Sequence, residues 1–170
     1  QGLELEANLG QNPYRLGVIG STDSHTALSS AEEDNFHGKL ATDSIPANKT
    51  SNFNDDGPGS SGWAMSASGM AAVWAESNTR SDIMDALERR EVYATTGPRI
   101  AVQFYGGPDF TEADLENADL HTLATARGVP MGGELHQTET PTFLVLATKD
   151  PEGANLDRIQ MVKGWLDADG

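Results

Sequence analysis

The 170-residue chain contains no cysteine, and it is poor in basic side chains. The lack of cysteine excludes disulfides and thiolate metal sites, so any metal ion must be held by histidine, aspartate and glutamate. Eleven lysines and arginines stand against 26 acidic residues, which gives a net charge of −15. Because this balance repels phosphates and anionic membrane surfaces, we expect no nucleic-acid partner.

Long hydrophobic runs are also missing. No stretch approaches the roughly 18 apolar residues of a membrane-spanning helix, so we expect no membrane span. Hydrophobic residues make up 37% of the chain, which is enough for the core of one domain, or of one domain and part of another. The acidic charge and the lack of cysteine favour a periplasmic or extracellular location.

Both ends of the sequence carry the pattern of an interrupted element. Residues 3–10 place Leu5 and Leu9 at helical spacing before Gly10, which predicts the last turns of a helix with a terminal glycine. Residues 158–162 alternate like a strand, and an acidic hairpin-turn signal follows them. We therefore expect the chain to be an internal fragment of a longer protein.

The chain before Gly97 has the pattern of helices and buried strands. A short strand is predicted at residues 16–20, and a long exposed loop rich in Gly, Ser, Asp and Pro is predicted at about 40–62. A helix is predicted after Thr79, whose side chain can cap it together with Asp82 three residues on. These elements indicate an α+β fold class.

The chain after Gly97 is β-rich. Strands are predicted in the stretches RIAVQFYGG, FLVLAT and RIQMV, with long loops between them. We therefore predict two regions, residues 1–97 and residues 98–170, of which the second is a sandwich-like β appendage.

One stretch, GVIGSTDSHTA at residues 17–27, combines an apolar strand with a polar end. Side chains alternate across a strand, so Asp23 and His25 point the same way if strand geometry persists. A carboxylate and an imidazole on one side are suitable ligands for one metal ion or for two adjacent ions. Ser21, Thr22 and Ser24 can orient such ligands through hydrogen bonds.

Ordinary turn chemistry is the alternative interpretation of this stretch. Clusters of Ser, Thr and Asp are typical of turns and helix N-caps, and Asp23 can simply cap a helix. Spacing alone favours this alternative, because two ligands do not make a catalytic site.

Five stretches of the sequence carry a family resemblance. NPYRLGVIGSTDSHT, EEDNFHGK, SASGMAAVWAESNTRSDIMDALERREVYATTGPRI, ARGVPMGGEL and DPEGANLDRIQMVKGWLDADG together resemble the C-terminal third of the family called domain of unknown function 3604. That family is related to the PHP (polymerase and histidinol phosphatase) metallohydrolases. The resemblance implies that residues 1–97 are the C-terminal part of a distorted PHP-type β/α barrel.

The resemblance also implies a metal site. The final PHP motif, Asp-x-His, falls on Asp23 and His25, which would hold divalent ions such as Zn, Mn or Fe. The other family ligands, including a His-x-His pair, would lie upstream of this chain, so the fragment is expected to lack a full metal complement. His37, His121 and His136 are predicted to be surface or loop histidines.

Three charged residues are candidate substrate contacts. The acidic run that includes Glu32 precedes Lys39, and a loop that follows a ligand-bearing strand can overhang the site. Lys39 and Arg99 could neutralise an anionic substrate oxygen. The alternatives are a solvated acidic loop for Glu32 and an ion pair with a nearby acid for Arg99.

Two functions therefore stand open. The first is part of a PHP-like metal-dependent hydrolase that cleaves a phosphoester, amide or carbamate bond of a small-molecule substrate, with this fragment inactive alone. The second is a non-catalytic module that packs on a barrel or on a partner chain. In either case unpaired strand edges favour association between copies.

Overall fold

The computed structural model describes residues 1–28, 32, 34, 37–48, 62–65, 67–136 and 140–167. Within these residues the chain is a mixed α+β structure with two small antiparallel sheets and no closed barrel. The helices are α1 (Gly2–Leu9), α2 (Arg80–Glu88) and α3 (Leu120–Arg127). The strands are β1 (Met70–Val73), β2 (Val92–Thr95), β3 (Ala101–Gly107), β4 (Val129–Pro130) and β5 (Thr142–Thr148). Among the residues that the structure describes, no helix has the length and apolar character needed to cross a bilayer.

The predicted helix ends are confirmed. Helix α1 ends at Gly10, whose φ of 73° is left-handed and whose N–H donates to the carbonyl of Glu6 at 2.9 Å. Helix α2 begins after Thr79, whose hydroxyl accepts the N–H of Asp82 at 3.2 Å. Both ends follow from local chemistry: glycine tolerates the left-handed conformation, and a threonine oxygen satisfies an unpaired helical N–H.

Strands β1 and β2, which precede and follow α2 in the sequence, form a two-stranded sheet. They run antiparallel, with Met70 opposite Thr95 and Val73 opposite Val92. The start of β1 and the end of β2 therefore lie at the same end of this sheet.

The second sheet has the order β4-β3-β5 and holds the main core. Tyr105 of β3 lies opposite Leu144 of β5. These two side chains, Phe110, and Ala124 of α3 form the buried cluster. Helix α3 was not predicted in this β-rich region. It begins after Asp119, whose carboxylate accepts the N–H of Thr122 at 3.1 Å.

The predicted strand at residues 16–20 is wrong. No strand is assigned there, and Val18 and Ile19 are exposed rather than buried. The segment instead lies against the first sheet through its glycines. A β-carbon on Gly20 would lie 2.9 Å from that of Ala94. This approach is closer than a regular strand with side chains permits.

The predicted strand at residues 158–162 is also wrong. The described residues offer it no hydrogen-bonded partner strand, and Val162 is 88% exposed. The predicted loop at about 40–62 is described at residues 40–48 and at Gly62. Two short 3-10 helices, Ala41–Ser44 and Pro46–Asn48, replace the exposed coil there.

Contacts join the two predicted regions. Arg15 donates to the Glu134 carboxylate at 2.5 Å, and the indole N–H of Trp74 donates to the carbonyl of Val102 at 2.8 Å. The division into residues 1–97 and 98–170 remains a prediction.

Candidate functional site

The Ser21–His25 segment lies at the end of the first sheet where β1 starts and β2 stops. A β-carbon on Gly69 would lie 2.5 Å from the carbonyl oxygen of Ser21 and 2.9 Å from that of Thr95. Glycine at this position therefore allows three backbone segments to meet beneath Asp23 and His25.

A turn, rather than a continued strand, shapes the segment. Asp23 has a φ of 54°, in the left-handed region that aspartate tolerates better than most residues. The Ser21 hydroxyl accepts the N–H of Asp23 at 3.4 Å, and the Thr22 hydroxyl accepts the N–H of Ser24 at 3.1 Å. The turn chemistry is therefore present, and the two hydroxyls shape the backbone that carries the acid.

The turn nevertheless brings Asp23 and His25 together. Atom Nδ1 of His25 lies 3.9 Å from the Asp23 carboxylate and 2.8 Å from the Asp23 backbone carbonyl. Because a carbonyl only accepts hydrogen bonds, this contact places a proton on Nδ1, so that in the neutral ring the lone pair is on Nε2. Both side chains are more than half exposed, so solutes can reach them.

Lys39 ties the pair to a second segment of the chain. Its ammonium forms an ion pair with the Asp23 carboxylate, and its backbone carbonyl accepts the N–H of His25 at 2.7 Å. The Lys39 side chain is only 15% exposed, whereas that of Asp23 is 59% exposed. The Ser24 hydroxyl adds a long contact to the carbonyl of Gly38 at 3.5 Å.

Lys39 also controls the acidity of Asp23. The hydrogen bond from its ammonium lowers the pKa of Asp23 below the ordinary value, and the charges of Lys39 and His25 act in the same direction against partial burial. Because the folded-state pKa lies below the unfolded value of about 4, the contact stabilises the fold above that pH. This stabilisation is lost as the pH falls through the folded-state pKa.

We expect Lys39→Met to raise the pKa of Asp23 toward its ordinary value, since the substitution removes the ammonium and keeps most of the side-chain length. Carbon-13 NMR of the Asp23 carboxyl during an acid titration measures this directly. Lys163→Met is the matched control, because Lys163 lies over the Trp165 ring and should leave the titration unchanged. An unaltered Asp23 titration in Lys39→Met would contradict the assigned cause.

Glu32 and Arg99 meet at a separate cleft of about 570 Å³, which none of Asp23, His25 and Lys39 lines. A guanidinium nitrogen of Arg99 lies 3.6 Å from the Glu32 carboxylate. The backbone N–H of Arg99 donates to Asp150 at 2.7 Å, and Asp150 also accepts the N–H of Glu152 at 3.0 Å. These backbone hydrogen bonds lower the pKa of Asp150. Sequence reasoning missed Asp150, although an Asp-Pro pair directly after a strand is a turn signal.

The donor set fits part of a metal site. Within the described ranges no three His, Asp or Glu side chains converge on a common point, so Asp23 and His25 stand as a pair of donors. Hard carboxylate oxygen and imidazole nitrogen suit Zn, Mn or Fe. His121 and His136 lie elsewhere: Nδ1 of His121 is 2.8 Å from the Tyr105 hydroxyl, and Nε2 of His136 is 3.7 Å from Glu134.

Comparison of the chain with known proteins gives one positive result. Neither the curated proteins nor the solved structures give a match. A family model described as Protein of unknown function (DUF3604) matches residues 1–170. The chain therefore belongs to the DUF3604 family.

Proposed function

We propose that Asp23 and His25 are two ligands of a divalent-metal site in a PHP-like hydrolase. The observation that carries this proposal is the placement of His25. Its Nδ1 contacts the Asp23 carbonyl at 2.8 Å, and the ring lies 3.9 Å from the Asp23 carboxylate. Metal-binding histidines commonly donate their second ring N–H to a carbonyl or carboxylate, which leaves the other nitrogen for the metal.

The pair supplies two ligands, whereas a catalytic zinc ion is typically held by three protein ligands. In this proposal the remaining ligands of the PHP pattern, including its His-x-His pair, would be supplied from outside this chain. A pair alone binds a metal ion weakly, because affinity depends on ligand number and on preorganisation.

The proposed reaction is hydrolysis of a phosphoester, amide or carbamate bond in a small molecule. When bound, a divalent ion lowers the pKa of water and polarises a phosphoryl or acyl oxygen. The Lys39 ammonium lies beside the ligands, and its hydrogen bond lowers the pKa of Asp23 and so favours the ionised carboxylate. Arg99 and Glu32, which form an ion pair at the cleft that they line, are the proposed contacts for polar substrate groups.

Metal titration of the chain tests the ligand assignment. We expect weak binding of Zn²⁺ by isothermal titration calorimetry, and at least about tenfold weaker binding in Asp23→Ala and in His25→Ala. His136→Ala is the matched control, because His136 is also an exposed histidine beside an acid. Equal binding by His25→Ala and the parent chain, or an equal loss in His136→Ala, would overturn the assignment.

A further inference from the structure

We propose that Asp43 is the positioning residue of this site: its buried carboxylate holds the Lys39–Leu40 peptide, and through Lys39 it sets the placement of Asp23 and His25. The metal-binding purpose of that placement rests on the proposed function. The placement itself is independent of it.

Asp43 is a buried acid that the proposed chemistry does not use. It is 6% exposed and lies in the 3-10 helix Ala41–Ser44. Its Oδ2 accepts the N–H of Leu40 at 2.7 Å, and among the described residues no lysine, arginine or histidine forms an ion pair with it. Burying a carboxylate is costly. The hydrogen bond from Leu40 offsets part of that cost.

Gly62 contacts both Lys39 and Asp43. The N–H of Lys39 donates to the carbonyl of Gly62 at 3.2 Å. A β-carbon on Gly62 would lie 2.6 Å from the Asp43 carboxyl carbon, which is closer than real β-carbon contacts. The Asp43 carboxylate therefore packs directly on the Gly62 backbone. Together the two residues bind the consecutive N–H groups of Lys39 and Leu40.

Lys39 contacts both candidate metal ligands, so a residue that fixes Lys39 also fixes the two ligands. Its carbonyl accepts the N–H of His25 at 2.7 Å, and its ammonium contacts the Asp23 carboxylate. Because backbone and side chain of one residue hold the two candidate ligands, loss of the Asp43 hydrogen bond releases both together.

Amide hydrogen exchange of the full chain tests the proposal without any metal. In Asp43→Ala we expect the amides of His25 and Lys39 to exchange about tenfold faster, whereas the β3–β5 ladder amides keep their rates. Asp43→Asn retains an oxygen acceptor of the same shape, and we expect it to stay within about twofold of the parent chain. Gly62→Ala should reproduce Asp43→Ala, because its β-carbon displaces the carboxylate.

Two outcomes would overturn the positioning role. One is unchanged exchange of the His25 amide in both Asp43→Ala and Gly62→Ala. The other is acceleration of the β3–β5 amides by the same factor, which would make Asp43 a general stabilising residue. Zn²⁺ titration of the same variants separates the two proposals. If the parent chain binds no Zn²⁺ while exchange at His25 changes as expected, the metal assignment fails and the positioning role stands.

Discussion

Gly132→Ala is expected to lower the free energy of unfolding by about 3 kcal/mol. Gly132 has a φ of 82°, where an alanine costs roughly 1–2 kcal/mol. Its added β-carbon would also lie 2.5 Å from the carbonyl carbon of Arg90 and 2.7 Å from the carbonyl oxygen of Arg89. Those backbone atoms belong to the two residues that directly follow α2 and cannot move without disturbing its end, so overpacking adds roughly 1–3 kcal/mol.

Gly10→Ala is the matched control for this prediction. Gly10 has a similar φ of 73°, but a β-carbon there meets nothing within 4 Å. We expect Gly10→Ala to lower the free energy of unfolding by about 1 kcal/mol, which is the backbone cost alone. Urea denaturation of both variants isolates the contact between Gly132 and the backbone of Arg89 and Arg90. Equal losses in the two variants would show that this contact contributes nothing.

Local chemistry made the helix ends predictable. A left-handed glycine ends α1, and a threonine with an aspartate three residues on begins α2, so each end depends on residues that are close in sequence. Helix α3 follows the same rule through Asp119. Helix α3 was not predicted because it is only eight residues long and lies in a region whose pattern is otherwise typical of strands.

The two strand errors have a different physical origin. An apolar or alternating stretch indicates which side chains seek burial, but a strand also needs a neighbour with which to form hydrogen bonds. Residues 16–20 pack glycines against β2, and residues 158–162 have no partner among the described residues. The residues of a stretch do not by themselves show whether a neighbouring strand is available to it.

The candidate site was predictable in its chemistry and not in its geometry. Strand alternation predicted that Asp23 and His25 face the same way, yet their proximity arises from a turn with a left-handed Asp23. The contact from Lys39 joins residues sixteen positions apart, and Asp43 acts through a backbone amide. Such contacts depend on how two loops meet, which composition and periodicity do not report.

Substitutions in the second sheet are expected to destabilise the fold strongly only on the face that packs in the core. Leu144 is 4% exposed and packs with Tyr105, Phe110 and Ala124. Its neighbour Phe143 points to the opposite face, is 48% exposed and stacks on Phe104 with ring centroids 5.4 Å apart. The two residues therefore provide an internal comparison of buried and exposed apolar side chains.

We expect Leu144→Ala to lower the free energy of unfolding by about 3 kcal/mol, because it removes buried methyl groups and leaves a cavity beside Tyr105. Phe143→Ala removes more atoms but should cost only about 1 kcal/mol, since much of its ring is already in water. Urea denaturation with an unchanged dependence on denaturant concentration measures both losses as stability changes. A larger loss in Phe143→Ala would place the dominant packing on the opposite face of β5, away from α3.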